Sequence, residues 1–153
     1  MKAFEHIRGC DEWLVFSWGE RSLAAPNERG HLIELASALQ PAKAAEPAAW
    51  HRKRERRWPV HCLDEELRPC APAAARRALF VFFAGDPSPF GLLCDQADVL
   101  RLRERGWTLH PIPPALRRPG SPLLGIAVSG ERPPILLTDV GALAAFLPRF
   151  EGL

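Results

Sequence analysis

Residues Trp13–Trp18 (WLVFSW) predict a strand whose Leu14, Phe16 and Trp18 share one face at a period of two. Gly19-Glu20 supplies a turn, and Arg21–Ala25 can return as the second strand of a hairpin. His31–Gln40 is ambiguous. Leu32, Leu35, Ala36 and Leu39 have helical spacing, whereas His31–Leu35 alone suits a strand. Pro41–Ala49 reads as a surface loop or linker. Arg57–Leu63 is a further predicted strand, with Trp58, Val60 and Cys62 on one face. Pro59 gives it an edge or strand-start position, because proline brings no N–H to a ladder. Asp64–Leu67 suits one helical turn, stopped near Pro69.

The second half has a clearer rhythm. Leu79–Ala84 is continuously apolar, as a strand buried on both faces should be. Gly85-Asp86-Pro87-Ser88-Pro89 is a loop, and Phe90–Cys94 is the predicted return strand, antiparallel to the first. Val99–Arg103 and Trp107–Leu109 alternate. A proline-rich connection, Pro111–Pro122, leads to strands at Leu123–Val128 and Ile135–Thr138, with a turn at Gly130-Glu131. Asp139 can cap a closing helix, Val140–Leu147, in which Leu143 and Leu147 stand at i, i+4. Eight to ten short strands and one C-terminal helix, with no alternation of strand and helix, predict a mainly β fold of barrels or a sandwich.

Composition agrees with this pattern. The chain has 153 residues, 47% of them hydrophobic, which suits one domain or two very small subdomains sharing a core. Sixteen prolines and eleven glycines fit many short elements separated by turns. The opening MKAFEHIRGCDEW has acids where a secretory signal needs an apolar run, and the longest apolar stretch is far too short to span a bilayer. A cytoplasmic protein without membrane insertion is the expectation, with Cys10, Cys62, Cys70 and Cys94 as thiols.

Charge changes the picture in one place. The net charge is +2, but His51–Arg57 (HRKRERR) alone carries five basic residues and one acid. Elsewhere stand fifteen of the twenty basic and seventeen of the eighteen acidic residues, so the body of the protein is slightly acidic. The basic run with Trp50 and Trp58 has three readings. It is a solvated loop or hairpin, a docking patch for an acidic protein surface, or a stacking platform for single-stranded nucleic acid. One seven-residue run offers few phosphate contacts, so nucleic acid is not the expected partner. Trp13, Trp18 and Trp107 sit in alternating strands and are assigned to the core, while Trp50 and Trp58 flank charge and are the interface candidates.

Catalytic chemistry finds little to stand on. The cysteine gaps of 52, 8 and 24 residues lack the close pairs of structural zinc sites, and Cys62 and Cys94 lie on apolar faces where a thiol packs as a small hydrophobe. No nucleophile elbow and no phosphate-cradling glycine loop is present. The expectation is therefore a protein with no catalytic residues, no metal and no cofactor.

The order of motifs resembles the CheW-like family of bacterial chemosensory adaptors. Pro59-Val60-His61-Cys62-Leu63 matches its Pro-Val-x-Asp-Leu strand end, with Cys62 in place of Asp. Arg77–Phe83 matches a basic residue leading an apolar strand. Gly91-Leu92-Leu93-Cys94-Asp95-Gln96-Ala97 matches a Gly-leu-x-val-Asp-x-val pattern. Pro111–Leu116, Ser121–Ala127 and Leu136-Leu137-Thr138-Asp139-Val140 match its later linker, Gly-val-ala segment and strand-to-helix junction. The resemblance spans roughly residues 12–147 and rests on order and spacing rather than on any single motif. One region departs from the family pattern. Where the family has Gly-val-ile-Asn-leu-Arg-Gly, Arg54 falls on the arginine, Glu55 replaces the glycine, and His51–Lys53 replace the apolar part.

The resemblance implies a single domain over residues 1–153, made of two small five-stranded β-barrels packed together. Residues 12–68 with the C-terminal helix 139–147 would form the first and residues 77–138 the second. The boundary would lie near 68–76, and the helix would fold back across the first barrel. It further implies a non-catalytic scaffold, in chemotaxis or a pilus-linked system, binding a CheA-type histidine kinase and other CheW-like proteins. In the family the arginine loop helps bind chemoreceptor tips, so a chemoreceptor is the partner touched by the departure. The candidate protein-binding residues are Trp50, Arg54, Arg56, Arg57 and Trp58. The alternative is a small β-barrel nucleic-acid-binding protein using residues 51–57.

Overall fold

The computed structural model describes residues 2–27, 31–35, 40–41, 49–53, 56–70, 79–83 and 89–147. Its fold is mainly β. The strands are β1 (Trp13–Trp18), β2 (Arg21–Pro26), β3 (His31–Leu35), β4 (Gln40–Pro41), β5 (Ala49–Lys53), β6 (Arg56–His61), β7 (Leu79–Phe83), β8 (Phe90–Cys94), β9 (Gln96–Leu100), β10 (Thr108–Pro111), β11 (Gly125–Val128) and β12 (Ile135–Leu137). Helix α1 (Lys2–Ile7) precedes them and α2 (Val140–Phe146) follows. The ambiguous segment resolves as a strand over His31–Leu35, and Asp64–Leu67 is a turn rather than a helical turn. Among the described residues, no helix is long and apolar enough to cross a membrane.

Among the described residues, the strands form two six-stranded sheets. One has the order β10-β11-β12-β2-β1-β9, the other β3-β7-β8-β6-β5-β4. The sheets cut across the expected division. The boundary at 68–76 would put residues 12–68 in one unit and 77–138 in the other. Instead β1 and β2 join the C-terminal strands, because β1 pairs with β9 (Leu14↔Val99) and β2 runs parallel to β12 (Leu23↔Leu136). The second sheet takes the middle of the chain, where β6 runs parallel to β8 (Val60↔Gly91). Sheets of six strands replace the expected five. The predicted hairpin partners β7 and β8 are adjacent and antiparallel, with Leu79 opposite Cys94 and Phe83 opposite Phe90. Strand β6 is internal rather than at an edge, but its ladder with β8 begins at Val60, just past Pro59. The missing proline N–H is thus not demanded by that neighbour.

Two cores meet at β1 because its side chains alternate. Leu14, Phe16 and Trp18 join Leu23, Leu63, Leu67, Phe90, Leu92, Cys94, Val140 and Leu143 of α2, and Leu147 at the end of that helix. This cluster draws on both sheets. The Phe16 and Trp18 rings stack with centroids 6.1 Å apart. The other side of β1 places Trp13 with Ala24, Leu102, Trp107, Ala127, Ile135 and Leu137, and α1 covers them with Phe4 and Ile7. Both faces of β8 are buried. Helix α2 starts where expected: the Asp139 carboxylate accepts from the Ala142 N–H at 2.7 Å, satisfying one orphan donor of the first turn. It packs on β1, β2, β8 and the 63–67 turn.

A smaller third cluster, Ala49, Val60, Cys62 and Leu93, lies on the opposite face of the second sheet, with Trp58 and Cys70 against it. The 62–70 turn ties the sheets together. Trp18 Nε1 donates to the Asp64 carbonyl at 3.0 Å, and Arg21 Nε donates to the Glu65 carbonyl at 2.9 Å. Leu67 holds the left-handed region (φ 63°), which costs a non-glycine residue energy and persists only where its surroundings enforce it. Here Leu67 is buried in the inter-sheet core.

Candidate docking face

The described part of the basic run lies in an antiparallel pair, β5 against β6, with Trp50 opposite Pro59, His51 opposite Trp58 and Arg52 opposite Arg57. Directly opposite residues share a face and neighbours along a strand alternate, so Trp50, Arg52, Arg57 and Pro59 take one face. His51, Trp58 and Val60 take the other. The Arg57 guanidinium carbon lies 4.8 Å from the centre of the half-buried Trp50 ring, within cation–π range, and Arg52 is exposed beside it. A planar guanidinium held over an indole is partly immobilised already, so a carboxylate partner finds its donors oriented.

The five candidates are therefore not one patch. Trp50 and Arg57 come together. Trp58 turns the other way and, half-buried, packs against the cluster of Val60, Cys62 and Leu93. Arg56 stands in β6 opposite Lys53, and Arg54 lies outside the described residues. Arg52, which was not a candidate, shares the face with Trp50 and Arg57. Its signal was available, since it stands two residues from Trp50 on one strand.

Two further features flank this face. His61, at the end of β6, is 3% exposed, and burial pushes its pKa from 6.5 down to about 4, so it is neutral near pH 7. Asp64 begins the turn that follows. Its Oδ1 accepts from the Arg68 and Glu66 backbone N–H groups, each at 2.9 Å, and its Oδ2 accepts from Arg68 Nε at 3.2 Å. The backbone bond from Arg68 is the largest of the influences that hold this carboxyl below its usual range.

The cysteines behave as apolar side chains in part. Cys62 and Cys94 are 2% and 0% exposed, as their strand faces predicted. Cys70 is half-buried, and its Sγ lies 3.0 Å from Cys62 Sγ, a juxtaposition that the eight-residue spacing did not suggest. Among the described residues, no group of three or more His, Cys, Asp or Glu is placed to hold a metal ion.

Apolar side chains are also exposed at sheet ends. Ile33 and Leu35 lie on β3, the end strand of one sheet, at 41% and 62% exposure, and Val99 lies on β9, the end strand of the other. No protein-family model matches the chain, and no curated protein matches it.

Proposed function

We propose that this chain is a non-catalytic adaptor of a bacterial chemosensory complex, in chemotaxis or a pilus-linked pathway, that docks an acidic surface of a CheA-type histidine kinase. The observation that carries this reading is the Arg57 guanidinium stacked on Trp50 beside exposed Arg52. Such a face recognises carboxylates, and its charge speeds encounter and sets register more than it adds affinity. The order of motifs that resembles the CheW-like family supplies the pathway, and the antiparallel β7–β8 pair lies where that resemblance expects one. In this reading each sheet curls into a small barrel. The gathering of Trp13, Ala24, Ala127, Ile135 and Leu137 from four strands into one cluster supports that for the first sheet. The end strands with Ile33, Leu35 and Val99 offer the apolar contacts of the complex, with the kinase or with another CheW-like protein.

The test is a titration of the CheW-like regulatory domain of a CheA-type kinase from the same organism against wild type and an R52A/R57A double variant. Wild type should bind. The variant should bind about tenfold more weakly, as expected for two exposed cations at roughly 0.7 kcal/mol each, and lose most of the salt dependence. Its melting temperature should stay near that of wild type. Absence of binding by wild type, or equal affinities, would overturn the proposal. Tight binding of a single-stranded oligonucleotide with a steep salt slope would favour the nucleic-acid reading instead.

A further inference from the structure

We infer that Cys62 and Cys70 form a reversible oxidative modification site, a dithiol that closes to a disulfide on exchange with a small-molecule disulfide. The backbone prepares it. An isolated bridge pairs Leu63 with Pro69 in antiparallel fashion, so the next residues outward, Cys62 and Cys70, stand directly opposite. The Cys70 N–H donates to the Cys62 carbonyl at 2.8 Å, the mark of a hydrogen-bonded pair. Such a pair has its Cα atoms about 5.5 Å apart, within the span of roughly 4.4–6.8 Å that a disulfide bridges. Both side chains turn to the same cluster, and their sulfurs are 3.0 Å apart. Bond formation needs a short approach of two sulfurs and no rearrangement of the backbone.

Exposure assigns the two thiols different parts. Cys70 is half-buried and reachable, whereas Cys62 is 2% exposed. The Cys70 thiolate attacks one sulfur of oxidised glutathione, forming a mixed disulfide and releasing one glutathione thiolate. The Cys62 thiolate then attacks Cys70 Sγ, forms the intramolecular bond and expels the second glutathione. The protein gives up two electrons and two protons; one oxidised glutathione becomes two reduced ones. The bond closes the 62–70 turn, whose Asp64 and Glu65 carbonyls hold Trp18 and Arg21 of the other sheet. Oxidation therefore locks the connection between the sheets.

The experiment treats the full chain, native and without denaturant, with oxidised glutathione, followed by alkylation and mass mapping. Wild type should lose two of its four alkylatable thiols, with a Cys62–Cys70 linked peptide, and dithiothreitol should restore both. C62S should trap glutathione on Cys70, because no second thiol resolves the adduct. C70S should keep its three remaining thiols alkylatable under conditions that oxidise wild type. In oxidised wild type the Leu67 and Arg68 amides, which bond to Asp64, should exchange more slowly with solvent. A persistent glutathione adduct on Cys70 of wild type, or Cys62 and Cys70 both still alkylated after unfolding at an excess of oxidised glutathione, would overturn the inference.

Discussion

Lowering the pH from 7 to 4 should remove about 3 kcal/mol of folding stability through His61 alone. Its imidazole is buried at the end of β6, and its folded pKa is about 4 against 6.5 when solvated. Above pH 6.5 both the folded and the unfolded chain hold it neutral, so it contributes no pH dependence. Below pH 6.5 the unfolded chain takes up a proton that the folded chain refuses, and stability falls. The slope approaches 1.36 kcal/mol per pH unit, the value for one proton, and the loss is complete near the folded pKa. A shift from 6.5 to about 4 thus amounts to roughly 3 kcal/mol, a large share of the 5–15 kcal/mol typical of a domain. Asp64 acts in a different window. Its carboxyl is held below 3.8, so the stability it contributes is lost only as the pH drops further, through that lowered value. Urea unfolding followed by tryptophan fluorescence at several pH values between 7 and 4 measures the effect, since Trp13 and Trp18 are buried. A His61→Asn variant lacks the titrating ring, and its profile should be flatter by the same amount. Parallel profiles for wild type and variant would refute the reasoning, because the slope would then come from other groups.

Two further substitutions test the packing. Asp139→Ala removes the acceptor for the Ala142 N–H and should cost about 1 kcal/mol, whereas Asp139→Ser should retain most of the stability; urea midpoints separate the two. Gly125→Ala should cost roughly 1–3 kcal/mol, because a Cβ there would lie 2.7 Å from the His110 carbonyl oxygen and 2.8 Å from the Phe4 ring. Adding Phe4→Leu should not restore the thermal midpoint, since the nearer obstacle is backbone; full recovery would show that only the α1 contact was at stake.

Local alternation was readable, and long-range partnership was not. The period of two in Trp13–Trp18 assigns Leu14, Phe16 and Trp18 to one face, and they occupy one core. The apolar runs at Leu79 and Phe90 read correctly as a pair because the sequence between them is short and rich in Gly, Asp, Pro and Ser. The sheets, however, are decided by pairings such as Leu23↔Leu136 and Val60↔Gly91, and neither pattern nor charge in one strand names a partner so far along the chain. Helix α1 offered only Phe4 and Ile7 at i, i+3 over six residues, too short a run to show a period. The thiol pair was hidden for another reason. It depends on a tight return at Leu67 with positive φ, and a leucine gives no sign of adopting one.

At Trp58, strand alternation and local charge point in different directions. Trp58 shares its face with Val60 and Cys62 by simple alternation, and that apolar face belongs inside. Its nearness in sequence to four arginines nevertheless suggested an interface. Parity within one strand decides which side Trp58 takes, because charge density along a chain is indifferent to the side of a sheet. Register then decides what parity cannot. The pairing of Trp50 with Pro59 puts Trp50 and Arg57 on the same side, and a slip of one residue would set Arg57 with the buried residues instead. That slip would also place Val60 outside its cluster with Leu93, so the core enforces the register on which the docking face depends.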